Sequence, residues 1–548
     1  MRARTLPALL RERAESSAGG QPGLRLRTGG AWQTWSWSTY WRQARESAAG
    51  LREAGLRPGD ALLVLAVEAE AAVRAILGAW VLGAVPTPIG LPFRLEDMDA
   101  FLRGLEETAR ALDARVLVVP RSVAHAAARA PRGLRILVAE DLAGDPADLP
   151  DRDDDAHPIA LVQLTSGSTG RPRGVVIPHH RLSSHLDAMS RALPVAEPGA
   201  VGVSWLPLYH DMGLVGGLLF PLYAGFELRL SSPHDFRARP WAWLQDLSES
   251  GAVITPAPPS AWMLCVRLAE RAIAAGLDLS RLRCALVGAE PIGARVLREF
   301  AAAFAPCGFR AEAFFPCYGL AEATLAVTFP RLLAPRRFDR VDGRALGNGQ
   351  AEPLAADGPG AMTFVGLGHA IPGTTVRVVD EEGADAAERR VGEIWVHSET
   401  LMESYHRDAE ATAAALVGGW LRTGDLGYLA GGELFVTGRK KDVIIRAGQN
   451  LVPAVIEEIA SGVEGVRGGG VAAVGLWSEE SATQIAVVVA ETRRPLAEHA
   501  ALARAVREAL KSHGLSVDEV RVVPAGTLPK TTSGKLVRSG VTALAKAG

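Results

Sequence analysis

Apolar and polar positions alternate along this chain in two different periods. In the first two-thirds, short apolar runs are each followed by a longer segment with helical spacing. ALLVLAV (61–67) is a continuous apolar run that predicts a buried strand, and EAEAAVRAILGAW (68–80) predicts the helix after it. RVLVV (115–119), GAVITPAPP (251–259) and RCALVGAEP (283–291) predict further strands ending in turns, with a helix over IGARVLREFAAAF (292–304). Such alternation implies mostly parallel sheets with helices on both faces, and ligand sites at the C-terminal ends of strands.

From about residue 362 the pattern shortens. TTVRVVD, GEIWVHS and GELFVTG read as short alternating strands between glycine and acidic turns, as in a small antiparallel sheet or barrel. LVPAVIEEIASGV reads as a helix with proline near its start. GVAAVGLW, QIAVVVAE, the helix LAEHAALARAVREALKSHG and EVRVVP then form a compact α+β end. The expected architecture is α/β. A large N-terminal domain, 1–438, has mostly parallel sheets covered by helices to residue 360 and a small β-barrel-like subdomain over 361–438. A small mobile α+β domain, 439–548, follows.

Composition narrows the class. Of 548 residues, 48% are hydrophobic and 22% charged, the balance of an ordinary globular protein. A net charge of −2 gives no basic field for nucleic acid or an anionic membrane. The four cysteines form no C-x-x-C pair and read as buried thiols of a reducing compartment. MRARTLPALLRERAESS carries charges throughout and lacks the apolar core of a signal peptide. The most apolar stretch, Ala75–Phe93, is broken by glycines and prolines and reads as a buried helix followed by an extended segment. The expectation is a cytoplasmic protein without stable membrane insertion. Only six of the 59 basic residues are lysine, and four of the six fall at Lys440, Lys441, Lys530 and Lys535.

The most informative stretch is LVQLTSGSTGRPRGVVIPHH (161–180): a strand, then a loop of threonine, serine and glycine. Small residues let backbone N–H groups turn toward an anion, and hydroxyls add donors, as a triphosphate requires. It is not a Walker loop, since no G-x-x-x-x-G-K-[ST] occurs. Composition alone leaves a polar surface loop as an equal reading.

The residues themselves go further. TSGSTGRPRG resembles the phosphate-binding signature of the adenylate-forming superfamily: acyl- and aryl-CoA synthetases, adenylation domains, luciferases and fatty acyl-AMP ligases. YGLAEAT (318–324), LRTGDLGYL (421–429), GRKKDVIIRAGQNLVPAVIEE (438–458) and LPKTTSGKL (528–536) resemble its later motifs, in order. The resemblance implies that Thr165, Ser166, Gly167, Ser168, Thr169 and Gly170 bind the triphosphate of ATP. It places Tyr318 against adenine within Tyr318–Gly319–Leu320–Ala321, with Gly288, Ala289 and Glu290 on the other side. It implies that Glu322, with Thr165, holds Mg²⁺, that Asp425 accepts from the ribose hydroxyls with Arg439 beside it, and that Lys441 is the hinge. Lys535 would bridge acid and α-phosphate as the catalytic lysine, and Lys530 would support its loop or the nucleotide's rim. Arg173 stands where the family commonly has lysine; it keeps the charge but with a planar fork.

Two features point to one branch. VSWLPLYHDMGLVGGLLFPLYAGFELRLSSPHDF (203–236) and Ala321 within YGLAEAT resemble fatty acyl-AMP ligases. The stretch between Tyr318 and Asp380 is longer than CoA ligases lead one to expect, with extra material over roughly Phe329–Phe364, where fatty acyl-AMP ligases carry an insertion. His210, in YHDMG, joins the candidate catalytic residues, with a family role closer to lining or gating the acyl site. The apolar stretch from Gly213 to Phe226 reads equally as an acyl tunnel or a core helix. The leading expectation is ATP-dependent activation of a fatty or related carboxylic acid to acyl-AMP, then transfer to the phosphopantetheine of a separate acyl-carrier protein. The alternatives are an acyl- or aryl-CoA ligase, with CoA as acceptor, and a non-catalytic adenylate-binding or carrier-docking protein.

Overall fold

The computed structural model describes residues 5–91, 98–125, 131, 133–149, 158–165, 172–356, 358, 360–446, 449–479, 483–530 and 536–547. The apolar runs become buried parallel strands. The largest sheet has seven strands, in the order Phe314–Pro316, Cys284–Val287, Ile254–Ala257, Val201–Ser204, Glu227–Leu230, Pro22–Thr28 and Ala31–Ser36. All neighbours in it are parallel except the last pair, an antiparallel hairpin at the edge. A second, four-stranded parallel sheet runs Val85–Ile89, Ala61–Leu65, Val116–Val119, Arg135–Val138. Its edge strand Val85–Ile89 carries Pro86 and Pro88, which an edge tolerates because one side of the strand needs no donors.

Helices cover these sheets where the 3.6-residue period predicts them. Ala69–Leu82 is buried on most of its surface and ends at Gly83, whose φ of 84° is the left-handed turn that closes helices. One core runs from Leu6 to Leu434 through the seven-stranded sheet, and another fills the space around the four-stranded one. Among the described residues, no helix is long and apolar enough to cross a membrane.

Between residues 374 and 439 the strands pair antiparallel. Thr374–Val379, Gly392–Ser398, Trp420–Ala430 and Glu433–Arg439 pair in sequence order. The last hundred residues pack Pro453–Ser461, Leu496–Ser512 and Arg538–Ala547 against a three-stranded sheet. Separate apolar clusters, running from Ile444 to Val520 and from Ala472 to Ala545, fill this part.

The extra material after Phe329 is folded. Phe338–Asp342 and Ala361–Val365 form an antiparallel pair. Val341, Leu346 and Ala351 pack on Tyr428, Ala430 and Phe435 of the neighbouring sheet. A buried polar knot fixes the unit. Arg389 donates through both terminal nitrogens to Asp339, at 3.0 and 2.9 Å, and Tyr428 Oη donates to the same carboxylate at 2.7 Å. Arg389 also donates to the Ala351 carbonyl at 2.9 Å. A bidentate guanidinium is the geometry suited to a carboxylate that is only 7% exposed.

Removing one partner of a buried ion pair strands the other. Asp339→Ala is therefore expected to cost about 3 kcal/mol in urea unfolding, with loss of protease protection at residues 338–365 preceding global unfolding. An unchanged midpoint and digestion pattern would show that the knot does not hold the unit.

Candidate active site

A buried carboxylate organises one corner of the site. Asp425 lies in Trp420–Ala430 and is 6% exposed. Its Oδ2 accepts from Tyr318 Oη at 2.7 Å, and its Oδ1 pairs with Arg439 Nε at 3.0 Å. Register delivers the arginine, because Asp425 and Arg439 are direct partners across the strand pair. Its own backbone N–H donates to Thr423 Oγ1 at 3.1 Å, and that hydroxyl donates to Ile394 O at 2.7 Å. Burial and the Asp425 charge push the Tyr318 hydroxyl well above its ordinary range, so it stays a donor. The Asp425 charge likewise raises Arg439. A carboxylate offers about four acceptor directions, so Asp425 can still receive neighbouring hydroxyls.

The second corner is Glu322. Its turn is tightly determined. A side chain at Gly319 would meet the Leu325 carbonyl at 2.0 Å, and Thr324 sits at φ 68°, unfavourable for a β-branched residue. Thr324 Oγ1 donates to Thr400 O at 2.5 Å, and Leu320 N donates to Leu325 O at 2.8 Å. His185 Nε2 accepts from Ala326 N at 3.0 Å, so its proton is on Nδ1, which lies 3.1 Å from Thr400 Oγ1. Complete burial drives His185 down to about 3, which keeps the ring neutral in this role. Glu322 O accepts from Met402 N at 2.7 Å, and Glu322 Oε1 accepts from Tyr405 Oη at 2.8 Å. Burial raises the Glu322 carboxyl above its usual range.

Arg173 joins this corner. Its guanidinium carbon lies 5.3 Å from the centre of the Tyr405 ring, and its Nε is 3.8 Å from Asp408 Oδ2. Thr165 ends Ile159–Thr165 opposite Arg173, and its Oγ1 donates back across the hairpin to Arg173 O at 3.4 Å. Ser166, Gly167, Ser168, Thr169, Gly170 and Lys535 lie outside the described residues.

The remaining named residues are held as follows. Gly288 closes on Cys317, whose Sγ would stand 3.2 Å from an added Cβ. Ala289 holds φ 67°. Glu290 accepts from Ser260 N and Oγ at 3.2 and 3.0 Å. Ala321 is buried at the start of the Glu322 turn. The His210 backbone N–H donates to Pro207 O at 3.2 Å, and its backbone carbonyl accepts from Leu214 N at 2.7 Å. Asp211, whose Oδ1 accepts from Met212 N at 2.7 Å, caps the π-helix Met212–Leu219, which continues as the α-helix Phe220–Ala224. Beneath the π-helix is an apolar crevice lined by Gly202, Ser204, Gly217, Phe220 and Phe226, with room for about one water molecule. Lys441 lies in the turn Lys440–Asp442, just past Arg439; burial and the Arg439 charge lower its pKa. Lys530 donates to Gly469 O at 2.9 Å; burial and Arg467 lower its pKa, while Glu491 and Glu290 oppose the shift.

The structure thus joins Tyr318 to Asp425 and Arg439, and Glu322, through Tyr405, to Arg173. Sequence reasoning missed His185, Thr400 and Tyr405. Their contacts span 76 to 215 positions, and no local pattern marks them.

Comparison with known proteins adds context to this geometry. The family model described as AMP-binding enzyme matches residues 14–406. The long-chain-fatty-acid–AMP ligase FadD26 of Mycobacterium tuberculosis is 34% identical over 98% of this chain and 96% of its own length. A Caulobacter vibrioides protein provisionally named an acyl-CoA synthetase is 34% identical over 88% of this chain and 86% of its own. A solved structure from work on fatty acyl-adenylate ligases of E. coli and L. pneumophila superposes with a TM-score of 0.89. It shares 32% identity and covers 99% of this chain and 98% of its own. The chain belongs to the AMP-binding enzyme family, the adenylate-forming enzymes.

Proposed function

We propose that this chain is a fatty acyl-AMP ligase. It couples ATP to a fatty or related carboxylic acid, releases pyrophosphate, and passes the acyl group to the phosphopantetheine thiol of an acyl-carrier protein. The observation that carries the reading is the junction of Tyr318, Asp425 and Arg439 beside the Glu322–Tyr405–Arg173 corner. The end-to-end likeness to named fatty-acid–AMP ligases supports it.

A carboxylate oxygen attacks the α-phosphorus in line. A new P–O bond forms as the bond to pyrophosphate breaks, and the acid, already ionised, needs no base. Asp425 accepts from the ribose hydroxyls, and Tyr318 lies against adenine, across from Gly288–Glu290. Thr165 and the loop 166–170 receive the phosphates. Mg²⁺ is bound with one or two carboxylates plus phosphate oxygens. Glu322, a buried carboxylate with one side-chain donor on it, fits that mode, with Thr165 as its partner. Bound there, the ion would neutralise charge on the phosphates. Arg173 supplies cationic charge at the loop's edge. Lys535 approaches as a slim ammonium where negative charge develops. We further propose that 1–438 and 439–548 act as two units turning about Lys441, one orientation admitting Lys535 and the other the thiol. The crevice under the π-helix opens for the acyl chain, and His210, two residues before that helix, gates it.

Likeness to a protein provisionally named an acyl-CoA synthetase favours a second reading, with CoA as acceptor. Mass spectrometry of the full chain with fatty acid, ATP and Mg²⁺ separates the two. The proposal expects acyl-AMP to accumulate without thiol, a holo-carrier protein to discharge it, and CoA to do so poorly. Rapid acyl-CoA formation would favour the second reading.

Lys535→Ala is expected to slow acyl-AMP formation about 10²-fold while leaving transfer from preformed acyl-AMP nearly intact. Equal loss of both half-reactions would contradict the two-orientation account. Asp425→Asn weakens a charge-assisted acceptor and leaves Arg439 without its counter-charge, so KM for ATP is expected to rise about tenfold. A rise confined to the fatty acid's KM would misplace the ribose.

A further inference from the structure

The turn that carries Lys441 is fastened on its two sides to different parts of the molecule. Before it, Arg439 pairs with Asp425, and Lys440 Nζ donates to Glu393 Oε2 at 3.3 Å. Both carboxylates belong to the antiparallel sheet, in Trp420–Ala430 and Gly392–Ser398. After it, Asp442 Oδ2 lies 3.0 Å from Arg538 Nε. Arg538 opens the helix Arg538–Ala547, three positions beyond Lys535. Lys441 thus stands between side-chain pairs made to the antiparallel sheet and a pair made within the C-terminal α+β part.

The other nitrogens of the Arg538 guanidinium are occupied. Nη1 donates to Glu457 Oε1 at 2.7 Å and to Ala473 O at 2.9 Å, and Nη2 donates to Glu457 Oε2 at 3.1 Å. Glu457 Oε1 also accepts from Ala473 N at 2.9 Å. The fork therefore ties the helix Pro453–Ser461, the strand Val466–Ser478 and the start of the last helix into one piece. None of those bonds needs Asp442; the Nε–Asp442 pair adds the exit of the turn to the piece. The chain on either side of Lys535 is drawn together as well. Lys530 and Leu536 form an antiparallel bridge, and Val537 N donates to Pro529 O at 2.9 Å. A lysine delivered by the turning of a whole unit is placed only as well as that unit is held to its pivot. The other cations near Asp442, Arg439 and Lys441, lie before the pivot or on it and cannot supply that link.

We propose that Arg538 is a positioning residue for acyl-AMP formation: through Asp442 it fastens the exit of the pivot to the piece that carries Lys535, and so confines the turning to Lys441. The inference rests on the two-orientation reading given above. The test is a double-mutant cycle on the full chain with fatty acid, ATP and Mg²⁺, comparing wild type, Asp442→Ala, Lys535→Ala and the double variant. Asp442→Ala leaves every Arg538–Glu457 bond in place, so the unfolding midpoint is expected to hold, whereas Arg538→Ala would strand the largely buried Glu457. Asp442→Ala is expected to lower kcat for pyrophosphate exchange about tenfold with KM for ATP unchanged. Transfer from preformed acyl-AMP is expected to stay nearly intact, and Asp442→Glu, which keeps the carboxylate, to recover most of the exchange. In the Lys535→Ala background the loss of Asp442 is expected to cost nothing further. A wild-type kcat in Asp442→Ala, or an equal loss in both backgrounds, would overturn the inference and leave the enzyme assignment standing. Wild-type exchange by Lys535→Ala would remove the reading beneath it, and the inference with it.

Discussion

The site depends on satisfying one carboxylate, Asp425, where water scarcely reaches it. Burying a carboxylate costs several kcal/mol unless charge and hydrogen bonds replace its hydration. Asp425 receives both, from a tyrosine 107 positions away in the chain and from an arginine on the paired strand. Satisfying it fixes three segments at once: the turn after Phe314–Pro316, the strand Trp420–Ala430 and the strand that leads to Lys440–Asp442. Register is part of the device. Side chains alternate along a strand, so a slip of one residue would send Asp425 and Arg439 to opposite faces. The antiparallel sheet therefore sets both the Tyr318–Asp425–Arg439 corner and the starting point of the turn that carries Lys441.

The Glu322 corner follows the same logic with weaker charges. A short turn that leaves no room for a side chain at Gly319 and forces Thr324 to positive φ stores strain of order 1–3 kcal/mol. Buried hydrogen bonds from Thr324 and to His185 offset it. His185 can do this because burial leaves it neutral, able to accept on one nitrogen and donate from the other. The rigidity of this turn keeps a single carboxylate in place beside Tyr405 and Arg173.

The alternation of apolar runs and helical segments made the two parallel sheets legible, because burial on both faces leaves uninterrupted Val, Leu and Ala. The edge hairpin Pro22–Ser36 was not legible. Its exposed face is polar and its glycine turn resembles a loop. The stretch after Gly213 stood equally as tunnel or helix, and it is a π-helix, whose wider turn leaves no periodic mark over eight residues. The length of the unit after Phe329 was readable, but the Asp339–Arg389–Tyr428 knot that holds it was not, since its partners are 50 and 89 positions away. The collinear motifs named Tyr318, Glu322, Asp425 and Arg439 individually. That Tyr318 and Arg439 both terminate on Asp425, and that Tyr405 bridges Glu322 and Arg173, are facts of packing.

On the proposed reading the nucleotide corner is built into the fold, and the crevice under the π-helix must open to take an acyl chain. The central claim is that the chain activates a carboxylic acid on its own, before any thiol is involved. Acid-dependent exchange of labelled pyrophosphate into ATP measures that step directly. The account predicts exchange that requires a fatty acid and Mg²⁺, proceeds without CoA or carrier protein, and falls sharply in Asp425→Ala. Exchange that appears only when a thiol is supplied, or that no carboxylic acid stimulates, would contradict it.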